Sequence, residues 1–181
     1  MSQIDAVHSL YVDESQRPGL FMLCAVAVPV SDQPQVRKQV RKLRPKHSTR
    51  LHMHQESRVR RLAAIGLLRT LNQCTVYLVE TDTSRKALEP PRPRALRALL
   101  VKCTDSSTHG VVLERTTLEQ YDKRLAAAVR RSKDIAIPDI RHESPLHEPL
   151  LWLPDIAAWA LGRNDEYRRL ADFPNVVRIV V

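Results

Sequence analysis

Three acidic residues stand where carboxylates can do chemistry. Asp13 closes the strand-like run His8-Ser9-Leu10-Tyr11-Val12 and is followed by Glu14 and Ser15. Glu114 closes a second apolar run, Gly110-Val111-Val112-Leu113. Asp155 is the one acid in the apolar segment Leu151-Trp152-Leu153-Pro154-Asp155-Ile156-Ala157-Ala158-Trp159. If the strands ending in Asp13 and Glu114 run parallel, both acids emerge at one sheet edge, and a helix crossing that edge brings Asp155 to them. Carboxylates gathered there repel one another and rise in pKa unless a cation lies between them. Oxygen-only ligation with open water positions suits Mg2+ or Mn2+. Two such ions can activate water and stabilise the leaving oxygen of a phosphodiester. Each acid also has a simpler use: a turn cap for Asp13, an ion pair with Arg115 for Glu114, and compensation of a helix dipole for Asp155.

Further candidates surround these three. Glu80 and Asp82 finish the run Thr75–Val79, so Asp82, like Glu14, is a reserve ligand. Nothing in the sequence decides between Asp82 and Glu114. His52 and His54, in Leu51-His52-Met53-His54, share a side if that segment is a strand, and Glu56 follows closely. These three are expected near the site, a histidine orienting water or phosphate and Glu56 offering a further carboxylate; the simpler reading is a plain polar loop. A structural zinc site wants four ligands. Cys24, Cys74 and Cys103 are far apart and flanked by apolar residues, so they read as buried small hydrophobes in a reducing compartment. No glycine-rich phosphate loop, GxGxxG, HExxH or GxSxG pattern occurs, which argues against a nucleotide cofactor and serine hydrolysis.

Charge supplies the partner class. Twenty-nine Lys and Arg against 20 Asp and Glu give a net charge of +9. Such an excess favours polyanions, because neutralising phosphates releases counterions. Arg58, Arg60 and Arg61 lie along the flanks of an amphipathic segment, Arg58 to Leu71, and are the expected phosphate contacts. With 2 Phe, 4 Tyr and 2 Trp, single-strand binding by base stacking has little support. No apolar run approaches a membrane span, and Met1-Ser2-Gln3-Ile4-Asp5 lacks a basic leader start, so a cytoplasmic location is expected.

The elements that must position these residues follow from pattern. Val7–Val12 and the apolar Leu20–Val28 form an antiparallel hairpin around Gln16-Arg17-Pro18-Gly19. After a basic helix at Val36–Leu43 and a brief strand at Leu51–His54, strands at Thr75–Val79 and Gly110–Leu113 alternate with helices at Arg58–Leu71, Arg94–Cys103 and Leu118–Val129. Ile135–His142 reads as an edge strand interrupted by Pro138, Leu150–Leu161 as the last major helix and Val176–Val181 as a closing strand. The expectation is a single α/β domain over residues 1–181, with a mixed sheet and helices on both faces.

Four segments resemble a known family. Tyr11-Val12-Asp13-Glu14-Ser15 resembles the opening YxDESG of the bacterial family catalogued as domain of unknown function 3800. Leu51-His52 is similar to its E-I-H segment, and Val111-Val112-Leu113-Glu114-Arg115 to its I-I-D-E-R strand. The segment from Leu151 to Ala160 is similar to its closing L-Q-L-A-D-L-I-A-G-A helix. The resemblance implies a ribonuclease-H-like fold and a metal-dependent nuclease site built from Asp13, Glu114 and Asp155, with Glu14 and His52 close by. This chain departs from the pattern at Gln16, in place of glycine, and at Arg50, in place of the first acid. Leu113 also stands in place of the strand aspartate, and Pro154 in place of a small residue. The function so implied is a nucleic-acid-binding nuclease; the alternative is a binding or assembly module whose site has degenerated.

Overall fold

A computed structural model describes residues 6–83, 88–133 and 137–181. Its centre is a six-stranded sheet in the order β5-β4-β1-β2-β3-β6. The first two strands, β1 (His8–Arg17) and β2 (Leu20–Pro29), form the expected antiparallel hairpin. Pro18 fixes one φ of its two-residue turn, and Gly19 supplies the positive φ of 78° that other residues resist. β2 also runs antiparallel to β3 (Thr75–Asp82). The remaining neighbours are parallel: β1 with β4 (Thr108–Glu114), β4 with β5 (Ile140–Glu143) and β3 with β6 (Val176–Val180). β2 lies inside the sheet with both faces covered, which is why every residue from Phe21 to Pro29 is buried.

Helices cover both faces. On one, α1 (Gln33–Arg41), α2 (Arg58–Thr70), α5 (Trp152–Leu161) and α6 (Glu166–Leu170) pack over Tyr11, Cys24, Val26 and Val112. On the other, α3 (Pro91–Lys102) and α4 (Glu119–Lys133) pack over Leu10, Val12, Val111 and Leu113. Side chains alternate across a strand. Asp13 therefore follows Tyr11 onto the α5 face, whereas Glu14 follows Val12 onto the α3 face.

The pattern misjudged several boundaries for identifiable reasons. α1 and α3 start three residues earlier than expected, at Gln33 and Pro91, because proline is tolerated in a first helical turn. Leu51–His54 is not a strand: Leu51 and His52 are irregular and Met53–Gln55 is a single 3-10 turn. α6, five residues long, is too short to register as a period. β5 is the expected edge strand but begins at Ile140; Ile135, like the N-terminal segment Met1 to Asp5, lies outside the described residues.

Candidate active site

β1 does not end at the acids. It continues to Arg17, paired with β2 throughout, while its pairing with β4 stops at Val12 and Leu113. Asp13 thus sits mid-strand where β4 peels away, and the gap so opened is roofed by α5. Glu114, the last residue of β4, shares the face of Val112 and turns toward the same gap. Leu113 is buried on the opposite face.

Asp155 arrives from α5. Pro149–Leu151 forms a 3-10 turn that leads into Trp152, so Pro154 falls in the first helical turn, where no intrahelical N–H is missed. Asp155 Oδ2 accepts the Met53 backbone N–H at 3.0 Å and lies 3.5 Å from His52 Nδ1. Asp13, Glu114 and Asp155 line one pocket together with Ser15, Arg50, His52, His54, Trp152 and Trp159.

The electrostatics of this pocket are unbalanced. Burial, then the negative charges of Asp155 and Glu114, push the Asp13 carboxyl well above the usual carboxylate range. One internal hydrogen bond opposes this: the Glu14 backbone N–H donates to Asp13 Oδ1 at 2.8 Å. Cys24, the register partner of Asp13 on β2, has its thiol pushed up by burial and then by Asp13 and Asp155. His52 is raised chiefly by its hydrogen bond to Asp155. Arg50 Nη1 meets Glu114 Oε1 at 3.0 Å.

These contacts decide how a cation fits. The donor chemistry, carboxylate oxygens in a partly open pocket, is that of a hard divalent ion. Yet among the described residues no three His, Cys, Asp or Glu side chains are arranged to hold a metal. Glu114 is engaged by Arg50, and Asp155 by the Met53 N–H and His52. Of the three acids, Asp13 is the one left without a cationic partner among the described residues.

Of the other expected residues, Glu14 also borders the pocket, while on the α3 face its carboxylate accepts from Arg92 Nε at 2.8 Å. Asp82 is a correction. Asp13 is level with Cys24 and, one strand further, with Leu78; Asp82 is two strands away and four residues beyond, on the order of 15 Å from Asp13. His52 and His54 do not share a strand face, but their rings meet edge-on with centroids 5.9 Å apart. Glu56 is buried and bonded to Arg60 at 2.8 Å.

The three basic residues expected to hold phosphate are likewise engaged. Arg58 pairs with Glu166 at 3.2 Å, and Arg60 with Glu56. Arg61 donates to the Met53 and His54 carbonyls at 3.0 and 2.8 Å. In doing so it clamps the 3-10 turn that presents the Met53 N–H to Asp155.

Sequence reasoning missed two features. Glu143 stands beside Glu114 in the parallel register of β4 and β5; the expected edge strand stopped one residue short of it, at His142. Under Glu14, the fully buried Asp122 binds Arg92 (Nη2 to Oδ2, 3.0 Å) and His142 (Nε2 to Oδ2, 2.9 Å). No local spacing announces a network drawn from α3, α4 and β5.

No family model and no curated protein matches this sequence. A chain in the structure of the PCNA:RNase HII complex from Archaeoglobus fulgidus superposes with a TM-score of 0.57 and 16% identity. The match covers 90% of this chain and 76% of that one. With the mixed sheet and its flanking helices, it shows a ribonuclease-H-like fold. Among the described residues no helix is long and apolar enough to cross a membrane.

Proposed function

We propose that this protein binds nucleic acid and hydrolyses its phosphodiester bonds with Mg2+ or Mn2+. The observation that carries the reading is the meeting of Asp13, Glu114 and Asp155, from three distant segments, in one pocket. Asp13 and Asp155 would hold the cation, and Glu114 would complete the site or position water once Arg50 leaves it. A bound divalent ion would supply an activated water and charge stabilisation at the leaving oxygen. His52, held by Asp155, donates toward an incoming phosphate oxygen. Arg50, at the pocket mouth and a little over one-third exposed, can exchange Glu114 for a phosphate of the substrate. Membership of the domain-of-unknown-function-3800 family belongs to the same proposal and rests on the four segments quoted above. The three buried free thiols suit a reducing, cytoplasmic compartment. Loss of Mn2+-dependent cleavage on Asp13→Asn is the test.

A second reading has its own observation. The Arg50–Glu114 ion pair supplies from within the chain a positive charge that a metal would otherwise provide. On that reading the protein is a non-catalytic nucleic-acid-binding or assembly module. Its binding would fall steeply with salt and ignore divalent metal.

A further inference from the structure

Arg17 differs from the other arginines near the pocket. It lies four residues beyond Asp13 on the same face of β1, at the end of the hairpin arm. Its hydrogen bond to the Trp159 carbonyl is long, 3.4 Å from Nη2. Its Nε is buried and, among the described residues, has no partner. Arg58 and Arg60 have carboxylates, and Arg61 has two carbonyls. A guanidinium has five N–H donors, so Arg17 keeps most of its capacity unused.

Its surroundings favour an anion. The Arg163 guanidinium stacks on the Trp159 ring at 4.6 Å, and Arg61 lies over the same ring at 4.8 Å. Trp159 itself lines the carboxylate pocket. Burial, then the charge of Arg163, lowers the Arg17 pKa, with Asp165 opposing. Asp165 is already bonded to Arg163 through both Nε and Nη2. Three guanidinium groups therefore gather about Trp159, one on its carbonyl and two on its ring.

The backbone makes room for this guanidinium. A Cβ at Gly162 would lie 2.5 to 2.7 Å from Arg17 Nη2, Cζ and Nε. Glycine here is what lets the side chain lie against the end of α5.

From this geometry we propose that Arg17 anchors a backbone phosphate of the bound nucleic-acid strand at a distance from the cleavage point. This rests on the proposed function and adds a register to it. Four strand residues separate Arg17 from Asp13, about 13 Å, or roughly four nucleotide steps along a duplex axis. The substrate runs from the carboxylates along the β1 arm past Ser15 to Arg17. An oligonucleotide too short to cover that distance reaches only one of the two points.

The test is fluorescence anisotropy of labelled DNA and RNA 20-mers, single- and double-stranded, in EDTA. The proteins are wild type, Arg17→Ala and Gly162→Ala. Arg17→Ala should weaken binding about 5–10-fold and reduce the slope of log K against log salt by about 0.7–0.9, the loss of one phosphate contact. Gly162→Ala, which keeps every charge and displaces the guanidinium, should weaken binding of the same ligands at least about 3-fold. Circular dichroism of each variant checks that the fold persists. Wild-type affinity and salt slope in both variants would overturn the anchor while leaving nucleic-acid binding intact. Failure of wild type to bind any of the four ligands would overturn the anchor and the proposed function together. Because the assay is metal-free, loss of cleavage alone bears on the carboxylates and not on Arg17.

Discussion

Asp13 and Glu14 are consecutive acids on one strand, and they have opposite fates. Glu14 points to the α3 face, where Arg92 bridges it to Asp122 and Asp122 binds His142. Each of the two carboxylates there has a hydrogen-bonding partner: Arg92 for both, and His142 for Asp122. Asp13 points to the α5 face, where Asp155 and Glu114 repel it and Arg50 and His52 attend to those two instead. A structural network tends to satisfy its members, because a buried unpaired charge is costly. The acid left without a positive partner is the one to which the proposed function assigns the cation.

The largest expected difference between the faces comes from removing Asp122. Asp122→Ala leaves a buried void, takes His142's partner and leaves Arg92 with Glu14 alone, and should cost about 3 kcal/mol in a urea titration, the lower end for broken buried pairs. Asp13→Asn should act in the opposite direction. Because the folded state raises the Asp13 pKa, the wild-type fold gains from its protonated form at acid pH. That gain is lost as pH rises through the raised value. The asparagine side chain carries no charge at any pH, so the variant should melt above wild type at neutral pH, by about 2–4 °C for about 1 kcal/mol. The advantage should shrink on acidification. A destabilised Asp13→Asn would mean the two faces are built alike.

Smaller effects sharpen the contrast. Arg50→Ala releases Glu114 and removes a positive charge from the pocket mouth. Calorimetry should show Mn2+ binding about 2–5-fold tighter, the equivalent of a partly exposed ion pair worth up to about 1 kcal/mol. Glu14→Gln should change least. Its half-exposed pair with Arg92 is worth at most about 1 kcal/mol, and Mn2+ affinity should equal that of wild type.

The fold was legible in sequence wherever apolar runs were long. The hairpin of β1 and β2, the helices α2 and α5, and the strand β4 all follow from periodicity and from Pro18 and Gly19. Asp13, Glu114 and Asp155 were legible for the same reason: each interrupts or ends an apolar run. What sequence could not show was orientation. That Leu113 faces inward and Glu114 toward the site depends on which face α5 covers. The partners of Arg58, Arg60 and Arg61 were not legible, because a run of arginines on a helix edge looks solvent-facing until Glu166, Glu56 and the Met53 and His54 carbonyls are in place. Asp82 ends its strand as Asp13 was expected to, but β2 stands between their strands.

The most direct test is cleavage. Wild type and Asp13→Asn, purified side by side, are incubated with DNA and RNA in Mn2+ and in EDTA. Wild type should cleave at least one of the substrates in Mn2+ and none in EDTA, and Asp13→Asn should lose on the order of 100-fold or more of that rate, as expected when a group acting on the transition state is removed. Cleavage that survives in Asp13→Asn, or wild type that binds nucleic acid yet leaves both substrates intact in Mn2+, would contradict a hydrolytic site built on Asp13.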